Sequence, residues 1–133
     1  MAKEIEIRVW DKLKAKMYTT DYIAAFDFES KCIWVKDNYR GGRWLGLDNS
    51  NIMQYTGRKD KNGQKIFNGD VLRLEDRLVE IKYNEHNARF DCYFIKYIDT
   101  PDMDFRGCPA HRWHVYEIIG NIHENPELLE AAN

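Results

Sequence analysis

No apolar run in this sequence approaches the roughly 20 residues that a membrane helix needs. The opening Met-Ala-Lys-Glu-Ile-Glu-Ile alternates charge with aliphatics where a signal peptide would be apolar, so a cytoplasmic address without a membrane partner is expected. Cysteine is scarce and odd in number. Cys32, Cys92 and Cys108 are widely spaced, which predicts reduced thiols and no disulfide framework. Serine occurs only at Ser30 and Ser50, neither in a nucleophile elbow, and no glycine-rich phosphate loop is present. Charge of one sign is lacking as well. A net charge of −2 and a pI near 6.1 give no overall attraction to nucleic acid or anionic lipid. No nucleophile stands at a telling spacing from a base, so an enzyme is unsupported and no cofactor is expected.

What is present is aromatic and β-branched. The 133 residues suit one domain, 1–133, with lobes 1–50 and 51–133 as the natural subdivision. An aromatic fraction of 14% favours strands. Glu4 to Trp10 alternates strictly, with Ile5, Ile7 and Val9 on one face, as a half-buried strand does. Asp11 to Lys16 reads as a polar connection to an extended segment beginning at Met17. Thr20 to Phe28 reads as strand, with a helical turn as its rival. Cys32 to Val35 is a strand, Asn38 to Gly42 reverses the chain, and Trp44 to Leu47 returns.

The densest punctuation lies between Asn51 and Leu72. A short strand, Asn51 to Tyr55, leads to turns at Gly57, Asn62-Gly63 and Asn68-Gly69. Both Asn-Gly pairs predict two-residue type I′ turns, in which both positions need positive φ. Ile52, Tyr55, Ile66 and Phe67 are core candidates. Val71 to Leu74 and Leu78 to Tyr83 form a hairpin around Glu75-Asp76-Arg77. Arg89 to Ile98, apolar on both faces, predicts a central strand or one shared by two lobes. Thr100 to Ala110 reads as a loop, Trp113 to Ile119 as a strand, and Asn125-Pro126 as the cap and first residue of a short helix. The expected class is all-β, a small barrel or a pair of β lobes with a short C-terminal helical turn.

Three places could carry chemistry. Arg40, Arg43 and Trp44 surround a glycine turn, and with the basic strip Arg58, Lys59 and Lys61 they could hold single-stranded nucleic acid by stacking and phosphate contact. A hairpin loop with solubilising arginines has the same composition. Cys108, His111 and His114 crowd metal-ligating residue types together, with Asp102 or Asp104 as a fourth ligand, but the spacing matches no standard zinc site. A loop cysteine and two surface histidines are the default reading, and no metal is expected. Asp60, Asn62 and Gln64 imitate half a calcium loop, but Lys65 stands where glycine is required and Val71 where the closing Glu belongs.

Three segments together resemble the YopX family of phage and prophage proteins. They are Ile7-Arg8-Val9-Trp10-Asp11 with Lys16-Met17, then Met53-Gln54-Tyr55-Thr56-Gly57 through Asp60-Lys61-Asn62-Gly63 to Phe67-Asn68-Gly69-Asp70-Val71, and Ile118 to Leu129. They stand in family order at the start, middle and end of the chain. The resemblance implies an all-β architecture that includes an SH3-like barrel, and a home in phage or prophage genomes. It implies no activity and no catalytic residues. The expected function is a non-enzymatic scaffold for a protein partner or for copies of itself, because Trp10, Trp34, Trp44 and Trp113 are too many for all to be taken as core. A nucleic-acid-binding barrel is the alternative.

Overall fold

The structure is a computed structural model that describes residues 5–36, 41–98 and 108–130. It is mostly strand, and its curled sheets fit the all-β class expected from the sequence. The chain divides into two compact units, residues 1–54 and 55–133.

In the first unit, β1 (Ile7–Asp11) pairs antiparallel with β2 (Lys16–Tyr18). A 3-10 turn, Thr20–Tyr22, leads into β3 (Ile23–Asp27), so the ambiguous segment is both turn and strand. β3, β4 (Cys32–Val35) and β5 (Arg43–Gly46) form a three-stranded meander. β6 (Ser50–Lys59) begins here against β1 and continues into the second unit, so the expected short strand is twice as long. Val9, Ile33 and Val35 are fully buried with Tyr18 and Leu45. Each such aliphatic contributes about 1.5–3 kcal/mol by leaving water. Asp11, expected in a polar connection, is instead the last residue of β1 and 0% exposed. Period two continues from Ile7 and Val9 and carries its carboxylate inward.

In the second unit, the end of β6 pairs with β7 (Lys65–Phe67). β8 (Asp70–Leu74), β9 (Arg77–Asn84), β10 (Arg89–Tyr97) and β11 (Glu117–Asn121) form a sheet in the order β10-β9-β8-β11. The β8–β9 hairpin is the expected one. β10 is not central: among the described residues it pairs with β9 alone. Each of its faces reaches the surface in part, since the consecutive residues Tyr93 and Phe94 are both exposed. The core gathers Ile66, Leu72, Val79, Ile81, Cys108, Trp113 and Tyr116.

The turn-rich motif folds differently from a pair of type I′ turns. Gly63 and Gly69 have φ of +80° and +93°, but Asn62 and Asn68 do not have positive φ. Around Gly63 the turn enclosed between Asp60 and Gln64 is three residues long. Gly63 N–H donates to the Asp60 carbonyl at 3.0 Å, and Asp60 N–H donates to that of Gln64 at 2.8 Å. Only the glycine takes the left-handed position, as in a turn closed by a bulge. Asn68-Gly69 makes no hairpin, since β7 and β8 do not pair; it is a corner between sheets.

Asp60 organises this segment. Its buried carboxylate accepts backbone N–H groups of Asn62 and Gln64 at 2.9 Å and of Ile118 at 3.0 Å. The middle and closing motifs are thereby joined through one side chain. The segment expected as strand from Trp113 is a 3-10 turn, Ala110–Val115, with β11 beginning only at Glu117. At the end, Pro126–Leu129 is a single 3-10 turn. Asn125 does not cap it; its Oδ1 accepts the Asn121 N–H at 3.2 Å.

Candidate functional site

The two faces of the β3–β5 sheet carry opposite chemistry, and strand alternation decides which residue goes where. Phe26, Ile33 and Leu45 are direct cross-strand neighbours on the inner face, as are Ile23, Val35 and Arg43. Ala25, Trp34 and Trp44 form the corresponding row on the outer face. Arg43 and Trp44, adjacent in sequence, therefore point to opposite sides.

Inward, Arg43 Nη2 donates to Asp11 Oδ2. It also lies 3.3 Å from the Tyr18 hydroxyl, with the guanidinium 5.9 Å from the centroid of that ring. Asp11 Oδ1 in turn accepts the N–H groups of Leu13 and Lys14 at 3.0 and 3.2 Å. The aspartate side of this ion pair is fully buried and the arginine side only partly so. Arg43 Nε is buried without a hydrogen-bond partner among the described residues.

Outward, Trp34 and Trp44 meet edge to face, with ring centroids 5.4 Å apart and planes at 67°. Such a pair is worth about 0.5–1.5 kcal/mol beyond the area it buries, so the rings hold one another in place. Gly42 lies under the Trp34 ring, with φ of +152°. A Cβ there would sit 2.6 Å from Trp34 Cζ2 and from the Val35 carbonyl oxygen. Opposite Cys32, Gly46 adds no side chain to this face. Trp44 is left 51% exposed, a large value for an indole held rigid by a neighbour.

The other expected contact residues lie outside β3–β5. Arg40 lies outside the described residues. Arg58 and Lys59 are exposed at the end of β6, in the second unit. Lys61 is 3.6 Å from Glu117 Oε2. The arginine expected to grip phosphate beside Trp44 is thus engaged with a carboxylate, and the basic strip belongs to a different unit.

The Cys108 segment also differs from a ligand cluster. Cys108 is buried, whereas His111 and His114 are exposed on the 3-10 turn. No group of three or more His, Cys, Asp or Glu among the described residues is placed to hold a metal ion. Asp102 and Asp104 lie outside the described residues. The Cys108 carbonyl instead accepts the Trp113 indole N–H at 2.9 Å and the Cys92 thiol at 3.1 Å. Sequence reasoning missed this pairing of two cysteines, for which spacing gives no signal.

The comparisons agree with this architecture. The chain matches the family described as "YopX protein" over residues 6–130. It is also similar to the crystal structure of protein EF1440 from Enterococcus faecalis, at 29% identity and a TM-score of 0.66. That alignment covers 97% of this chain and 100% of the other. None of the curated proteins matches. No helix among the described residues is long and apolar enough to cross a membrane.

Proposed function

The chain belongs to the YopX family, and from that premise we propose that it is a phage or prophage accessory protein that acts by binding, without catalysis. The outer face of β3–β5 is its contact surface, and a protein is its partner. The SH3-like barrel implied by the family resemblance and a cytoplasmic address are part of this reading. One observation carries it: Trp44, braced by Trp34 over Gly42, presents half its surface to solvent. Tryptophan is over-represented among residues that dominate protein interfaces, because a rigid ring buries much area for little lost entropy. Neighbouring Ala25 and Gly46 leave room for a partner to reach both rings.

The single-strand nucleic-acid reading keeps Arg58, Lys59 and Lys61 but loses Arg43 to Asp11. Affinity capture from phage-infected host cells, with and without nuclease, separates the two. The binding reading predicts nuclease-resistant protein partners, and loss of every captured species on nuclease treatment contradicts it. Light scattering across a concentration series tests whether the partner is a second copy; a strict monomer removes that version.

A further inference from the structure

Outside the aromatic face, the second unit holds two thiols that the binding role does not use. Cys92 lies on β10 and Cys108 at the entrance to the 3-10 turn, 16 residues away, yet the Cys92 thiol donates to the Cys108 carbonyl at 3.1 Å. That bond brings the Cys92 sulfur against the Cys108 backbone. Both line a cavity of about 330 Å³ with Asn84, Arg89 and Asp91. Cys108 lines a second, of about 290 Å³, with Arg77, His111, Arg112 and Tyr116. Cys108 therefore borders both cavities.

The surroundings divide the two sulfurs chemically. The Cys92 thiol, then the Tyr116 hydroxyl, Trp113 and the Arg77 charge, hold the Cys108 thiol down to about 7. Hydrogen bonding to Cys108 and burial push Cys92 far up. Burial and the Cys108 thiol push Tyr116 up as well, so it remains a donor. Nucleophilicity requires thiolate, and a partner thiol in contact is what resolves an oxidised cysteine.

We propose that Cys108 and Cys92 form a peroxide-oxidisable dithiol, Cys108 attacking and Cys92 resolving. The Cys108 thiolate attacks one oxygen of a peroxide, an S–O bond forms, and the O–O bond breaks. The leaving oxygen departs as hydroxide or alkoxide and takes a proton. Cys108 is then a sulfenic acid, oxidised by two electrons. The Cys92 sulfur attacks Cys108 Sγ, the S–S bond forms, the S–O bond breaks, and the hydroxyl leaves as water with the Cys92 proton. Arg77, His111 and Arg112 line the approach to Cys108 and favour the developing oxyanion.

Treating the reduced full chain with hydrogen peroxide at neutral pH tests this, read by intact mass, thiol titration and peptide mapping. The expected product has lost two hydrogens and has one titratable thiol in place of three. A Cys92–Cys108 cross-linked peptide appears, Cys32 stays alkylatable, and dithiothreitol restores the starting mass. In Cys92→Ser the reaction stops at Cys108 sulfenic acid, which dimedone traps. Oxidation confined to Cys32, a disulfide that includes Cys32, or Cys108 proceeding to sulfinic acid without a cross-link would each overturn the proposal. The wild-type map decides even if the variant does not fold.

Discussion

Arg43 and Asp11, 32 residues apart, form an ion pair in which the aspartate side chain is fully buried and the arginine side chain 28% exposed. Breaking one side of such a pair strands a charge away from water. Arg43→Met should lower unfolding stability by about 2–4 kcal/mol in urea titrations, at the lower part of the buried-pair range because Arg43 keeps some solvent contact. The double variant with Asp11→Asn should lose less than the sum of the two single changes. A loss below about 0.5 kcal/mol would mean that Arg43 is a surface residue.

Asp60 should be as sensitive for a different reason. Three backbone N–H groups converge on its carboxylate, and Asp60→Ala would leave them without that acceptor. The expected cost is about 2–4 kcal/mol by denaturant titration, and Asp60→Asn, which keeps an acceptor oxygen, should cost less. Equal stability of all three proteins would contradict the role given to this side chain.

The sequence already contained part of this. Alternation along β1 and the β8–β9 hairpin were legible because period-two patterns report one-sided burial. The same rule places Asp11 with Val9, and Arg43 with Leu45, on inner faces. Treating charge as a mark of surface concealed both residues. Trp113 was illegible for another reason. Its aromatic and β-branched surroundings favour strand, but the core takes its ring and the Cys108 carbonyl takes its N–H, and the backbone coils to allow both. The Cys92–Cys108 contact depends on tertiary packing across 16 residues, which no local pattern encodes.

Glu80 gives a pH-dependent prediction. Burial raises its carboxyl above the usual glutamate range, with Lys82 opposing. The folded state therefore binds the proton more tightly than the unfolded state, and this residue's contribution to stability falls as pH rises through and above 4.5. Glu80→Gln removes the titration. The variant should gain stability relative to wild type at pH 7 compared with pH 4, measured by denaturant unfolding at both. An unchanged or reversed difference would contradict the assignment.

Gly42 supports the aromatic face and should not tolerate a side chain. Gly42→Ala places a Cβ against the Trp34 ring and the Val35 carbonyl at a φ that L-residues rarely adopt. The expected loss is about 1–3 kcal/mol, with a change in tryptophan near-ultraviolet circular dichroism. An unaltered spectrum and stability would remove Gly42 from the platform.

Trp44 separates function from folding most directly. Half of its surface is already in water, so Trp44→Ser should cost only about 1–2 kcal/mol of stability and leave the chain folded while deleting most of the proposed contact area. The decisive measurement is quantitative capture of protein partners from phage-infected host cells by wild type and Trp44→Ser, both nuclease-treated and both verified as folded. The binding account predicts partners retained by wild type and reduced at least about tenfold with Trp44→Ser, since a central interface tryptophan carries about 2 kcal/mol or more. Equal capture by the two proteins would contradict it.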